Sequence, residues 1–271
     1  MKTFVALCLA LFVAVPALAV DNPWDVRLPF KEATVTYALS GTMKGERAIY
    51  VKDYGRTSAE YTTTSMTMMG FTQQQKEAII TTPDWEYTID LMTATGTKQV
   101  NPQKYFIEEF SRLSSSEQKT VVRNAEALGY STIEGLDGSI EKGVTNILGY
   151  QCDRAQMMGM TVYTISGTDF PLKVEGSTMG VKMSEAATGI DKGAPPAEKF
   201  VVPTNIRLSH DPEADRMMQE QARMTIQHLL EGELPSAGMG GGQYQDGGAG
   251  ANGLTPEQQQ QMQQMLQMFN K

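Results

Sequence analysis

The chain has 271 residues, 41% of them hydrophobic and 20% charged, with a formal net charge of −8. So acidic a balance excludes a nucleic-acid partner held through its phosphates, which needs a basic footprint. It equally excludes electrostatic adhesion to an anionic membrane.

The N-terminus reads Met1-Lys2-Thr3, then an apolar run from Phe4 to Val15, then Pro16-Ala17-Leu18-Ala19. One Lys, a dozen apolar residues and a small-residue site predict a secretory signal peptide over residues 1–19, cleaved after Ala19. The run is too short to span a bilayer of roughly 30 Å, which needs about 20 apolar residues. Cys8 lies behind Leu7 inside it, whereas a lipid-attachment Cys would follow a small residue. Removing those 19 residues leaves 252 with a net charge of −9, because Lys2 departs. The expected location is therefore the periplasm. Only Cys152 then remains, so no internal disulfide can form in an oxidising compartment and packing must supply the stability. Cys152 reads as a small buried hydrophobe, with pairing to another chain as the alternative.

From Ala33 to about Val100 the pattern is β. Val35, Tyr37 and Leu39 alternate with Thr34, Thr36 and Ala38. After a Gly41–Gly45 turn, Ile49 and Val51 lie opposite Tyr50 and Lys52. Tyr54-Gly55 marks a further turn before a Thr-rich run from Arg56 to Met66. Trp85, Tyr87, Ile89 and Leu91 alternate with Glu86, Thr88 and Asp90, a clear period of two. Glu86 and Asp90 share one strand face and read as solvated outer carboxylates. Short strands joined by Gly-containing turns predict an antiparallel sheet.

The period then changes. Asn101-Pro102 can open a helix with Phe106, Phe110 and Leu113 on one face. Ser115 with Gln118 resembles a capping box; Val121, Val122, Ala125 and Leu128 continue as a stripe closed by Gly129. Strands resume near Gly143, with segments at Thr145–Leu148, Asp153–Met157, Thr161–Ile165, Pro171–Glu175 and Val181–Ala187. Pro195-Pro196 leads by a loop to Phe200-Val201-Val202-Pro203. Asp211-Pro212 opens a helix over 211–232 whose Met218, Ala222, Ile226 and Leu229 form one face. Residues 233–254 are Gly-rich and too poor in apolar side chains to fold, a flexible linker. The chain ends in a Met/Gln-rich amphipathic helix over 255–270, with Met262, Met265, Leu266 and Phe269 at i, i+3, i+4, i+7 spacing.

Signs of catalysis are sparse. His210 and His228 have no Cys or second His at metal-ligand spacing, and no nucleophile elbow, phosphate-cradling loop or H-E-x-x-H motif occurs. No arrangement of acid, base and nucleophile calls for an enzyme, and no cofactor is implied. The compositional anomaly is methionine: 18 residues, 17 once Met1 leaves. They cluster at Met66, Met68 and Met69; at Met157, Met158 and Met160; at Met217 and Met218; and at Met262, Met265 and Met268. Core filling, an adaptable apolar groove and a soft-metal site for Cu(I) are the three readings.

The order of motifs resembles a known family. Leu28-Pro29-Phe30 is followed by Val35-Thr36-Tyr37, Ile49-Tyr50-Val51-Lys52, Tyr54-Gly55-Arg56 and Trp85-Glu86-Tyr87-Thr88-Ile89-Asp90. Later come Ile147-Leu148-Gly149-Tyr150-Gln151-Cys152, Thr161-Val162-Tyr163-Thr164 and Phe200-Val201-Val202-Pro203. Over roughly residues 28–206 this is similar to the lipoprotein-carrier (Lol-type) superfamily of bacterial envelopes, closest to uncharacterised exported relatives with a Gly-Tyr-x-Cys segment. The resemblance implies an α+β fold: a strongly curved antiparallel sheet, an unclosed β-barrel, over residues 20–206. A helical insertion at 102–129 would form a lid. It further implies an apolar cavity, here lined by Tyr37, Leu39, Trp85, Tyr87, Ile89, Leu91, Phe106, Phe110 and Leu113. The lipoprotein carriers themselves are shorter and lack the linker and terminal helix.

The function expected is thus a periplasmic carrier for a hydrophobic small molecule, lipid or lipoprotein acyl chain. One alternative is a non-enzymatic envelope scaffold whose Met262, Met265, Leu266 and Phe269 helix docks on an envelope protein. Met-based copper binding is a further alternative.

Overall fold

A computed structural model describes residues 22–232, apart from 26, 69–70, 136–137 and 179–180. The expected signal peptide, the linker and the helix bearing Met262, Met265, Leu266 and Phe269 lie outside the described residues.

Six strands come first: β1 (Ala33–Gly41), β2 (Met43–Lys52), β3 (Thr57–Met68), β4 (Phe71–Thr81), β5 (Trp85–Asp90) and β6 (Thr95–Val100). Two helices follow, α1 (Pro102–Ser111) and α2 (Ser115–Gly135). A second run comprises β7 (Ser139–Ile147), β8 (Tyr150–Met157), β9 (Met160–Ile165), β10 (Pro171–Thr178) and β11 (Val181–Asp191). The chain then crosses through residues 192–206 to β12 (Arg207–His210) and α3 (Pro212–Glu231).

All twelve strands form one curved, unclosed sheet in the order β12-β6-β5-β4-β3-β2-β1-β11-β10-β9-β8-β7. Two meanders are joined where β1 pairs with β11. The register shifts at Thr36/Tyr37, Pro171/Lys173 and Glu141/Thr145, and extra residues of this kind bend a strand and raise its twist. One pair departs from the antiparallel expectation: β12 runs parallel to β6. Arg207-Leu208-Ser209-His210 is exposed throughout, so no burial alternation marks it as a strand. The crossover makes a parallel approach possible.

The helix starts follow their capping chemistry. Asn101 Oδ1 accepts from Gln103 N at 3.0 Å, and its amide donates to Thr82 O at 2.8 Å, which fixes α1 to the β4–β5 turn. The capping box of α2 sits one residue earlier than expected. Ser114 N donates to Glu117 Oε2 at 2.8 Å and Glu117 N donates to Ser114 Oγ at 3.4 Å. Nor does Gly129 end this helix, which runs on to Gly135. Helix α3 opens with Asp211 accepting from Glu213 N and closes on Gly232 in the left-handed region at φ 74°, where a residue without Cβ is unstrained.

Three apolar clusters form. The first joins Leu28 and Phe30 to Val35, Tyr37, Ile49, Val51, Cys152, Ile165 and Leu172. The second comprises Ala59, Ala78, Ile80 and Ile89, with Phe200, Val202 and Ile206 of the crossover against them. The third is helical: Phe110, Val121, Ile226 and Leu229 at its centre, Phe106, Leu113 and Trp24 around it. Trp24 stacks on Phe106 with ring centroids 5.1 Å apart. Helix α3 packs on α1, α2 and β6, while α2 also packs on β7. The helical layer therefore touches strands near both ends of the sheet.

Asp215 fastens this layer. Buried at the start of α3, it accepts from Val100 N at 2.9 Å and lies 2.6 Å from His210 Nε2. Replacing it by Ala strands a β6 amide and removes the His210 tie between α3 and β12. Asp215→Ala should lower stability by about 1–3 kcal/mol, read as a shifted midpoint in chemical denaturation. An unchanged midpoint would show that helical packing alone holds α3.

Candidate functional site

Directly paired residues of an antiparallel ladder share a face, so the register sorts the sheet into two sides. Val35 pairs with Ile49, Ile49 with Glu60, Glu60 with Ile79 and Ile79 with Thr88. One row along, Tyr37 aligns with Arg47, Thr62, Glu77 and Asp90. The opposite side carries Thr34, Tyr50, Ala59, Ile80 and Tyr87 in one row and Thr36, Ala48, Tyr61, Ala78 and Ile89 in the next.

This register separates the residues expected to line one cavity. Tyr37 and Leu39 lie on the first face, in and against the cluster around Val35. Tyr87 and Ile89 lie on the other, and with Leu91 they pack in the cluster that the crossover covers. Trp85 shares the face of Tyr87; the Lys98 ammonium sits 3.6 Å from its ring centroid, and His210 stands edge-on at 5.6 Å. Phe106, Phe110 and Leu113 belong to the helical cluster. Period-two alternation correctly separates the two faces within each strand. It cannot say which side of β5 matches which side of β1, because that depends on the intervening registers.

A groove of about 520 Å³ does exist, lined by Thr34, Thr36, Tyr50, Gly189, Ile190, Asp191 and Pro196. None of the nine expected residues borders it. Two threonines and an aspartate make it a poor sleeve for an acyl chain.

The first face instead carries a charged centre that sequence reasoning misses. Arg47 bridges three neighbours. Its Nη1 donates to Glu185 Oε1 at 2.6 Å, its Nη2 donates to Glu60 Oε2 at 3.0 Å, and its Cζ stands 5.2 Å from the Tyr37 ring centroid. Tyr37 in turn donates to Pro171 O at 2.7 Å. Burial drives the Tyr37 hydroxyl far above its ordinary range. Burial also pushes Glu185 up despite the Arg47 charge beside it. Glu77 on the same face is raised by burial, with Glu60 and Asp90 adding to the effect. Asp90 itself caps the β5–β6 turn, accepting from Met92 N and Thr93 N, and its bonds to Thr93 and Met92 hold it low. Arg47, Glu60 and Glu185 carry no motif, and Glu185 is far from the other two in sequence, so nothing local announces them.

Towards the hairpin end of the same face runs a row of methionines. Met43 pairs with Met66 on one side of β1. On the other, Gly41 pairs with Met183, Met183 with Gly176, Gly176 with Met160 and Met160 with Met157. The β8–β9 turn ends in Met158-Gly159, both at positive φ (49° and 77°), as a tight twisted hairpin requires. Met158 there is 70% exposed and Phe71, at the start of β4, 82% exposed. Residues 61–75 and 155–168 contain no Asp, Glu, Lys or Arg. The sequence flags the groups around Met66 and Met157, but not Met43 or Met183, whose partners the register alone supplies. Cys152 is fully buried, and burial raises its thiol pKa, so pairing with another chain requires local opening.

The Arg47 centre has a pH signature. A carboxyl whose folded pKa is raised contributes stability that is present below its unfolded value and lost as pH rises through the folded value. For Glu185 and Glu77 the fold therefore gains as pH falls from neutral into that window. Arg47→Met removes the charge that opposes the rise, so Glu185 moves further up. The variant should lose about 1–3 kcal/mol at neutral pH, less than a fully buried pair would, because Glu60 retains 28% of its side-chain surface. Its denaturation midpoint should recover on mild acidification more steeply than that of the wild type, and adding Glu185→Gln should flatten the recovery. Parallel pH curves for Arg47→Met and wild type would refute the assignment.

No family model matches the sequence, and no curated protein matches it. Among solved structures, an uncharacterised conserved protein from Thermus thermophilus is similar at 8% identity and a TM-score of 0.39, covering 67% of this chain and 91% of that one. PNGF-II is similar at 11% identity and a TM-score of 0.35, over 71% of this chain and 33% of that one.

Proposed function

We propose that this chain is an exported binding or carrier protein of the cell envelope, non-enzymatic, that holds a hydrophobic ligand such as an acyl chain or lipid against the Tyr37 face of its half-barrel sheet. The observation that carries this reading is the apolar row Met66, Met43, Met183, Met160 and Met157 across a single face. Unbranched thioethers adapt to guests of varied shape, and over residues 61–75 and 155–168 the β3–β4 and β8–β9 hairpins that carry Met66, Met157 and Met160 contain no charged residue. In this reading the helical layer, which packs on β6 and β7, is the lid. The Lol-type resemblance of residues 28–206 points the same way.

In this reading the ligand enters from the hairpin end and its tail lies along the methionines. A charge placed in that row opposes it. Native mass spectrometry of the full chain from envelope extracts should find a bound lipid. Met43→Glu and Met183→Glu should weaken a fluorescent fatty-acyl probe by about tenfold or more, the equivalent of about 1.4 kcal/mol. Absence of lipid together with probe affinity indifferent to both substitutions would dispose of the carrier role.

A further inference from the structure

We propose that Met157, Met160 and Met183 form a thioether site for a soft monovalent cation, Cu(I) or its surrogate Ag(I). The proposal goes beyond the hydrophobic-ligand reading and does not need it.

Gly176 pairs with Met160 on one side and with Met183 on the other. Strands two apart in a sheet are separated by about 10 Å, and a side chain at Gly176 would fill that interval. With glycine there, the Gly159 carbonyl and the Met160 sulfur occupy that position. A Cβ built on Gly176 would lie 2.4 Å from Gly159 O and 2.6 Å from Met160 Sδ, so the Met160 thioether lies over Gly176 on β10, the residue that Met183 pairs with from the other side. Met157 stands directly opposite Met160, where paired Cβ atoms are about 4.5–5.5 Å apart. The ladder thus sets three methionines on one face around a single glycine.

The donor chemistry selects the ion. Neutral, polarizable thioethers bind Cu(I) in preference to the harder divalent metals. Among the described residues no group of three His, Cys, Asp or Glu is placed to hold a metal, so a competing hard-ion site is not built there. A monovalent ion bound by neutral thioethers asks for little countercharge.

The test uses the full, lipid-free chain under anaerobic reducing conditions, with Cu(I) competed against a chromogenic Cu(I) chelator. In parallel, Ag(I) is titrated into protein labelled at the methionine methyl carbons. The proposal expects one Cu(I) per chain, and methyl shifts centred on Met157, Met160 and Met183. Met160→Leu with Met183→Leu, a near volume-conserving change, should weaken binding about tenfold or more, and Met217→Leu should not. No uptake by the wild type, unchanged affinity in the double variant, or loss confined to a chain carrying Met262→Leu, Met265→Leu and Met268→Leu would each overturn it. The methyl shifts of the wild type decide the matter even if the double variant fails to fold.

Discussion

The pairing of β1 with β11 is the constraint on which the rest depends. Eight register pairs, from Thr34 with Asp191 to Gly41 with Met183, weld a meander of six strands to a meander of five. Without it, Arg47 has no Glu185, Gly41 has no Met183, and the buried cluster around Val35 loses its far wall. The two strands are separated by about a hundred and forty residues of chain, so the loop must close before their contacts contribute. Topologies of this kind fold slowly relative to helical ones, and the local hairpins must persist meanwhile.

What holds the weld is mixed in character. At one end of β1, Ala33 and Val35 are fully buried and β1 needs no polar help. Midway, the guanidinium of Arg47 spans three strands, taking Glu185 on β11 and Glu60 on β3 with Tyr37 beneath it. Such a half-buried pair gains less than its Coulomb energy because desolvation opposes it. Its value lies in directionality: a one-residue slip of β1 would turn Tyr37 to the side away from Arg47, Glu60 and Glu185. The register shift at Thr36/Tyr37 lies immediately beside it, so the cluster pins the register where the ladder is irregular.

Much of the architecture is legible in the residues, and the limits have physical causes. Alternation marks β1, β2 and β5, and Asn101-Pro102 and Asp211-Pro212 mark helix starts because capping is local chemistry. The α2 cap falls one residue early because Ser114 and Ser115 are equally good candidates until Glu117 chooses. Gly129 resembles a stop, yet a glycine inside a helix costs only about 1 kcal/mol and the residues beyond it carry the helix on. The candidate site is the least legible part. A strand's period gives two faces but not their sign, so Tyr37 and Tyr87 look equivalent until the ladder places them on opposite sides.

An unclosed sheet leaves two flanks, β12 and β7, with hydrogen-bonding groups turned outward. Left bare, such flanks recruit further strands and polymerise. Here one flank is a strand of four residues bearing Arg207 and His210. The other is interrupted by a register shift beside Glu141 and Lys142, with α2 lying against it. Brevity, charge and irregularity at the margins keep the molecule from becoming a template for its own copies, a safeguard that any truncation at either flank would put at risk.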